Sequence, residues 1–236
     1  MEGGRPRSPR WRWEGSGLLS PVHGVGEEDL DVCFFDPEAD IDRTEHRLPH
    51  WHQGMVYASV TWRLGDALPA ETVDRIESER RLWLLTHPRP WQHDAAVEHA
   101  KLFSLKIDEL LDAGAGSCIL RDPGAARCVV DALRHFDEQR YRLDTFVIMP
   151  NHVHVLFQLY DAFPLPKVVQ AWKSFSSRQL TKLAGVPPPI WQAEYFDRLI
   201  RSGRHLERAR SYIAENPVKA RLSPGSFLFW SRQGSE

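Results

Sequence analysis

Cysteine is scarce in this chain: Cys33, Cys118 and Cys128 are the only three in 236 residues, and no two stand in Cys-x-x-Cys spacing. That excludes a disulfide framework and a cysteine-built zinc site, and leaves reduced thiols as the expectation. Long apolar runs are missing as well. No stretch approaches the ~18 residues that a membrane span needs, and the opening Met1-Glu2-Gly3-Gly4-Arg5-Pro6 has no signal-peptide core, so the expected location is the cytoplasm. Net charge is nearly absent, at −2, but the balance hides a division. Between Phe163 and Leu222 eleven basic residues stand against four acids, while the remainder is acidic in excess. A basic segment joined to an acidic remainder suits either a polyanion-binding surface or a solvated helix face.

What is present is an ordinary globular composition, 42% hydrophobic with a mean hydropathy of −0.43, enough for one domain with extensions. Residues 1–46 mix Gly, Pro, Arg and then acids with little periodicity and are expected to form a mobile extension. Met55 to Leu64 is rich in β-branched and aromatic residues and predicts a first strand. Ala70 to Leu85 has helical spacing, and a further helix near Ala95 to Ala113 falls in a segment, 87–116, that reads as a helical insertion. Asp122-Pro123 opens a helix that runs to Asp137; Tyr141 to Met149 and His152 to Leu159 form a hairpin around Pro150-Asn151. Pro164 to Ala184 predicts a long helix, Ile190 to Ile200 a strand, and Ser202 or Gly203 opens a last helix that Pro217 is expected to stop. Residues 225–236 read as a tail. The order of elements predicts an α+β domain, an antiparallel sheet covered by helices on one face.

The chemistry-bearing feature is the pair His152 and His154 within the apolar run Phe146 to Phe157. Side chains alternate across a strand, so both imidazoles share one face while Val153, Val155 and Phe157 enter the core on the other. The strand then offers two neutral nitrogen ligands to a divalent metal on its open side. His50 and His52 repeat the spacing, but in a polar, turn-rich stretch that reads as surface. On the last helix His205, Arg208, Tyr212 and Asn216 fall on one side, and Leu206, Ala209 and Ile213 on the buried side. Tyr212 is therefore a candidate phenol nucleophile, and Asn216, one turn on, a candidate third ligand to the same metal.

Four ordered motifs, Pro150-Asn151-His152-Val153-His154, Trp172-Lys173-Ser174-Phe175, Trp191-Gln192-x-x-Tyr195-Phe196-Asp197 and Tyr212-Ile213-x-x-Asn216-Pro217-Val218-Lys219-Ala220, resemble the REP-associated tyrosine transposases, a group of the HUH single-tyrosine transposases. The likeness covers roughly Arg47 to Leu222, so 47–224 is expected to be the catalytic domain. It implies a ferredoxin-like α/β sandwich carrying the His-x-His motif on its sheet, and cleavage and rejoining of single-stranded, hairpin-forming DNA such as REP-like palindromes. By position His152 and His154 match the metal ligands for Mg²⁺ or Mn²⁺, Tyr212 the nucleophile that forms a 5′-phosphotyrosine, and Asn216 the third ligand. Tyr195 is the competing tyrosine. Lys173, Arg178, Arg198, Arg201 and Lys219 are expected to meet backbone phosphates, and Trp172 and Trp191 either to stack on unpaired bases or to fill the core. Arg221 departs from the pattern, standing where family members often carry Gly. The competing expectations are a domesticated, non-cutting binder of hairpin DNA or RNA and a zinc-dependent protein; monomer and homodimer both remain open.

Overall fold

A computed structural model describes residues 12–13, 19–20, 34–36, 42–45, 49–53, 55–88 and 93–233. Two short antiparallel ribbons come first, β1 (Arg12–Trp13) with β2 (Leu19–Ser20) and β3 (Asp42–Glu45) with β4 (Pro49–His52). Most of the expected N-terminal extension lies outside the described residues, as do the side chains of His50 and His52. Phe34 and Phe35 do not: Phe35 is buried and its N–H donates to the Ile200 carbonyl at 2.9 Å.

The body follows in chain order as β5 (Tyr57–Arg63), α1 (Ala70–Thr86), α2 (His93–His99), a π-helical stretch (Ala100–Leu105), α3 (Lys106–Asp112), α4 (Pro123–Arg134), β6 (Tyr141–Ile148), β7 (His152–Leu159), α5 (Leu165–Ala184), β8 (Phe196–Leu199), α6 (Gly203–Lys219) and β9 (Leu228–Ser231). The five main strands form one antiparallel sheet in the order β8-β5-β7-β6-β9. Without β9 this is the β-α-β-β-α-β arrangement of a ferredoxin-like fold, with α1 to α3 inserted after the first strand. No helix among the described residues is long and apolar enough to cross a membrane.

Local chemistry explains the boundaries. The Asp122 carboxylate accepts the Ala125 N–H at 2.9 Å and Pro123 occupies the first turn, where its missing N–H costs nothing. α5 ends at Gly185, whose φ of +65° is the left-handed cap that glycine adopts without steric cost. The Pro150-Asn151 turn closes the β6–β7 hairpin, and Met149 N–H donates to His152 O at 2.9 Å.

The period-2 pattern of β7 separates two cores. Val153, Val155 and Phe157 face α4 and α5 and join Trp62, Leu133, Val169 and Trp172; Leu156 faces the other way, with Val147, Leu206 and Ile213. α4 and α5 cover one face as the periodicity predicts, and the structure adds α6 across the opposite face. The apolar stripe of Leu206 and Ile213 on α6 cannot be buried twice on the first face, which α4 and α5 already fill.

Three boundaries differ from expectation. Pro217 does not stop α6, which continues to Lys219, because the following turn is held by Ala220 N–H to Asn216 O and Leu222 N–H to Pro217 O. Only Phe196–Leu199 of the Ile190–Ile200 strand pairs with β5 over several residues; Trp191 makes one bridge to Leu64, and the Gln192 and Ala193 carbonyls turn instead to the Lys173 ammonium. The expected tail contributes β9, whose Leu228 and Trp230 are buried beside β6.

Candidate active site

His152 and His154 lie on the central strand, opposite Arg63 and Thr61 of β5, and their rings sit 4.8 Å apart at right angles. The expectation of an open face is overturned: they are only 1% and 2% exposed, and α6 packs Tyr212 against His154. Burial makes the charged imidazolium costly, which pushes His152 well below its ordinary value, helped by His154, and takes His154 down to about 3. Both rings are therefore neutral near pH 7.

Their hydrogen bonds decide which nitrogen carries the proton. The Asn151 amide donates through Nδ2 to the Leu111 and Ala115 carbonyls, both at 3.1 Å, so its Oδ1 faces His152 Nδ1 at 2.8 Å. Oδ1 has only lone pairs, so Nδ1 is the donor and Nε2 keeps a free lone pair. His154 Nδ1 lies 2.7 Å from Thr61 Oγ1. Both Nε2 atoms are buried without a hydrogen-bond partner, and Asn216, whose amide can ligate only through Oδ1, is buried on α6. Polar atoms are seldom orphaned in this way, and two neutral imidazole nitrogens beside a side-chain amide fit a divalent cation.

α6 delivers the phenol. Ser202 caps its start by accepting the His205 N–H at 3.2 Å, and Leu206 and Ile213 seat it on the sheet. Arg210 locks it: Nε donates to Asp144 Oδ1 of β6 at 3.0 Å, with a further arm on Glu207. Tyr212 then lies edge-on to His154, ring centroids 5.6 Å apart, while Asn216 is 2% exposed one turn on. A single chain thus brings the two imidazoles, the phenol and the amide together. Tyr195, the competitor, is buried in the core on the far side of the sheet.

One participant was not anticipated. Asp108 of α3 accepts the Tyr212 hydroxyl hydrogen at 2.7 Å. Burial pushes Asp108 up to about 6, opposed by the Tyr212 hydrogen bond and by Arg198; Asp112, one turn on, is raised to about 6 by burial and by Asp108. The phenol is itself raised, first by burial and then by the Asp108 charge and hydrogen bond. The only sequence signal was an Asp at i and i+4 in an insertion, with nothing to place it against a helix 104 residues later.

The basic candidates divide. Arg198 and Arg201 are exposed; burial lowers the pKa of His205 and the charges of Arg198, Arg208 and Arg201 lower it further, which places all three around the start of α6. Lys219 lies 5.1 Å over the Tyr212 ring and pairs with Glu215 at 3.1 Å. Arg178 is exposed on α5, in the layer behind the sheet. Lys173 is turned inward on the Gln192 and Ala193 carbonyls at 2.7 and 2.6 Å, and desolvation lowers it to about 8, so its ammonium is a loop clamp rather than a phosphate contact. Trp172 and Trp191, at 2% and 6% exposure, are core residues: they pack on Trp62, and their indole N–H groups donate to Tyr141 Oη at 2.7 Å and Ser176 Oγ at 3.0 Å. Base stacking by these two tryptophans is excluded by that burial.

Residues 131–216 match the family model described as transposase, IS200 like. Among solved structures, one described as a REP-associated tyrosine transposase bound to a REP hairpin aligns over 75% of this chain and 73% of its own, at 14% identity and a TM-score of 0.36. Another, from Deinococcus radiodurans R1 and described as a transposase, aligns over 70% and 93%, at 14% identity and a TM-score of 0.29. No curated protein matches.

Proposed function

From the match of residues 131–216 to the IS200-like transposase family model, we propose that the protein cuts and rejoins single-stranded, hairpin-forming DNA through a covalent phosphotyrosine at Tyr212. The observation that carries this reading is the placement of the Tyr212 ring 5.6 Å from that of His154, in a chain whose two Nε2 lone pairs have no partner.

His152 and His154, with Asn216, would hold Mg²⁺ or Mn²⁺, and such a cation supplies Lewis-acid neutralisation of the charge that develops on a phosphate oxygen. The chain's own residues do the rest. α6, fixed by Arg210 on Asp144, holds the phenol where its oxygen can attack phosphorus. A new bond forms between Tyr212 Oη and phosphorus, the bond to the 3′ oxygen breaks, and a free 3′-hydroxyl leaves. One phosphodiester replaces another, so a second 3′-hydroxyl can reverse the exchange and join strands without a nucleotide cofactor. Arg198, Arg201 and Lys219 neutralise flanking phosphates on the solvent side of α6.

The test is incubation of the full chain with labelled single-stranded hairpins and Mn²⁺. The expected product is a protease-sensitive DNA conjugate in the parent and none in Tyr212→Phe at unchanged hairpin affinity. Binding without a conjugate in the parent would replace catalysis with a binding role. A conjugate that requires zinc and fails with Mg²⁺ or Mn²⁺ would overturn the metal assignment.

A further inference from the structure

We propose that Asp108, supplied by the helical insertion, is the catalytic group that accepts the Tyr212 proton as the phenol attacks phosphorus. The inference rests on the strand-transfer reading above and adds a residue from outside the matched segment 131–216.

Geometry carries it. The Tyr212 hydroxyl points its hydrogen at Asp108 Oδ2, 2.7 Å away, within the reach required of a general base. The carboxylate is held in place rather than hanging from a loose loop. Leu111, three residues on, is buried in the main core, and the Leu111 and Ala115 carbonyls are tied to Asn151, the same side chain that orients His152. The element bearing the proton acceptor and the strand bearing the imidazoles are thus joined through one amide. Two other roles fit less well. Among the described residues no three His, Cys, Asp or Glu side chains gather closely enough to hold a metal ion, so Asp108 does not sit with the imidazoles as a ligand. A releasable latch is disfavoured because α3 is anchored in the core.

The proton accounting closes. In cleavage the Oη–phosphorus bond forms, the phosphorus–O3′ bond breaks with its electron pair on O3′, the phenolic proton passes to Asp108, and O3′ takes a proton from solvent. In rejoining, Asp108 returns its proton to the departing phenol while the attacking 3′-hydroxyl loses one to solvent. The groups facing Asp108 are Tyr212 from α6, Arg198 from β8 and Asp112 on its own helix; Lys219 and Glu109 act on Asp112. Burial, opposed by the Tyr212 hydrogen bond and by Arg198, takes Asp108 up to about 6, close enough to neutral pH to suit transfer in both directions.

The experiment is single-turnover conjugate formation with the cleavable hairpin and Mn²⁺, from pH 5 to 9, on the parent, Asp108→Asn and Asp112→Asn. Hairpin affinity and thermal unfolding serve as folding controls. The amide oxygen introduced by Asp108→Asn still accepts the phenol hydrogen bond but cannot take the proton, so a positioning role alone leaves the variant's rate near the parent's. The expected result is a loss of about 100-fold or more at neutral pH in Asp108→Asn at unchanged affinity. The parent rate should rise through a midpoint near 6 that is missing in Asp108→Asn and retained in Asp112→Asn. An Asp108→Asn rate within a few-fold of the parent, or above it, overturns the assignment while leaving strand transfer standing. A parent that forms no conjugate removes both.

Discussion

Replacing Asn151 by alanine tests most directly the orientation of the imidazoles proposed to hold the metal. Asn151 is buried and makes three contacts: it donates to the Leu111 and Ala115 carbonyls and accepts from His152 Nδ1. The two carbonyls keep other partners, since Leu111 O still receives the Gly114 N–H at 3.0 Å and Ala115 O the Cys118 thiol at 3.7 Å. The imidazole N–H keeps none, so its desolvation dominates, at roughly 1–3 kcal/mol, with about 1 kcal/mol for each lost bond to a carbonyl. A total of about 3–5 kcal/mol corresponds to a fall of about 6–20 °C in the unfolding midpoint for a protein of this size. The loss should extend to function, because His152 is then free to turn or to change tautomer; affinity for Mn²⁺, measured by titration calorimetry on folded protein, should drop about 10- to 100-fold. A destabilised variant that binds Mn²⁺ as tightly as the parent would refute the argument, since it would make Asn151 a structural link with no hold on the ligand.

Asp144→Ala leaves the Arg210 guanidinium, which is 16% exposed, with Glu207 alone as its carboxylate partner, and should destabilise the fold by about 2–3 kcal/mol in urea unfolding while slowing conjugate formation through a loosened α6. Trp191→Ala should lower stability by about 3–5 kcal/mol as a core cavity, with hairpin affinity of the folded fraction unchanged. Arg221 adopts φ +52°, the left-handed region that glycine takes freely, so Arg221→Gly should raise the unfolding free energy by about 1 kcal/mol; a loss would refute strain at this cap. Asp112 has a folded-state value near 6 against 3.8 for an unperturbed carboxyl, so its contribution to stability is complete below pH 3.8 and is lost as pH rises through 6. Asp112→Asn should therefore gain stability over the parent at pH 7, by about 1 kcal/mol once solvent screening of a half-buried group is allowed for, and gain little at pH 4; an equal effect at both values would contradict the shift.

Much of this molecule is local information. Alternation in Phe146 to Phe157 placed the imidazoles on one face and Val153, Val155 and Phe157 on the other; helical spacing placed Tyr212 beside Asn216; Asp122-Pro123 and Ser202 marked helix starts by capping chemistry alone. Each follows from a period or a cap spanning a few neighbouring residues. The remainder depends on partners far along the chain. Whether Trp172 and Trp191 meet bases or the core, whether Lys173 meets phosphate or carbonyls, and whether residues 228–231 trail or pair with β6 are decided by which surfaces are already covered. The match of Asp108 to Tyr212 is of the same kind: an ordinary surface-helix aspartate in the sequence becomes a half-buried partner of the phenol only when α3 is tied to the hairpin through Asn151. Sequence periodicity says which way a side chain points from its own element, and only the packed fold says what it meets there.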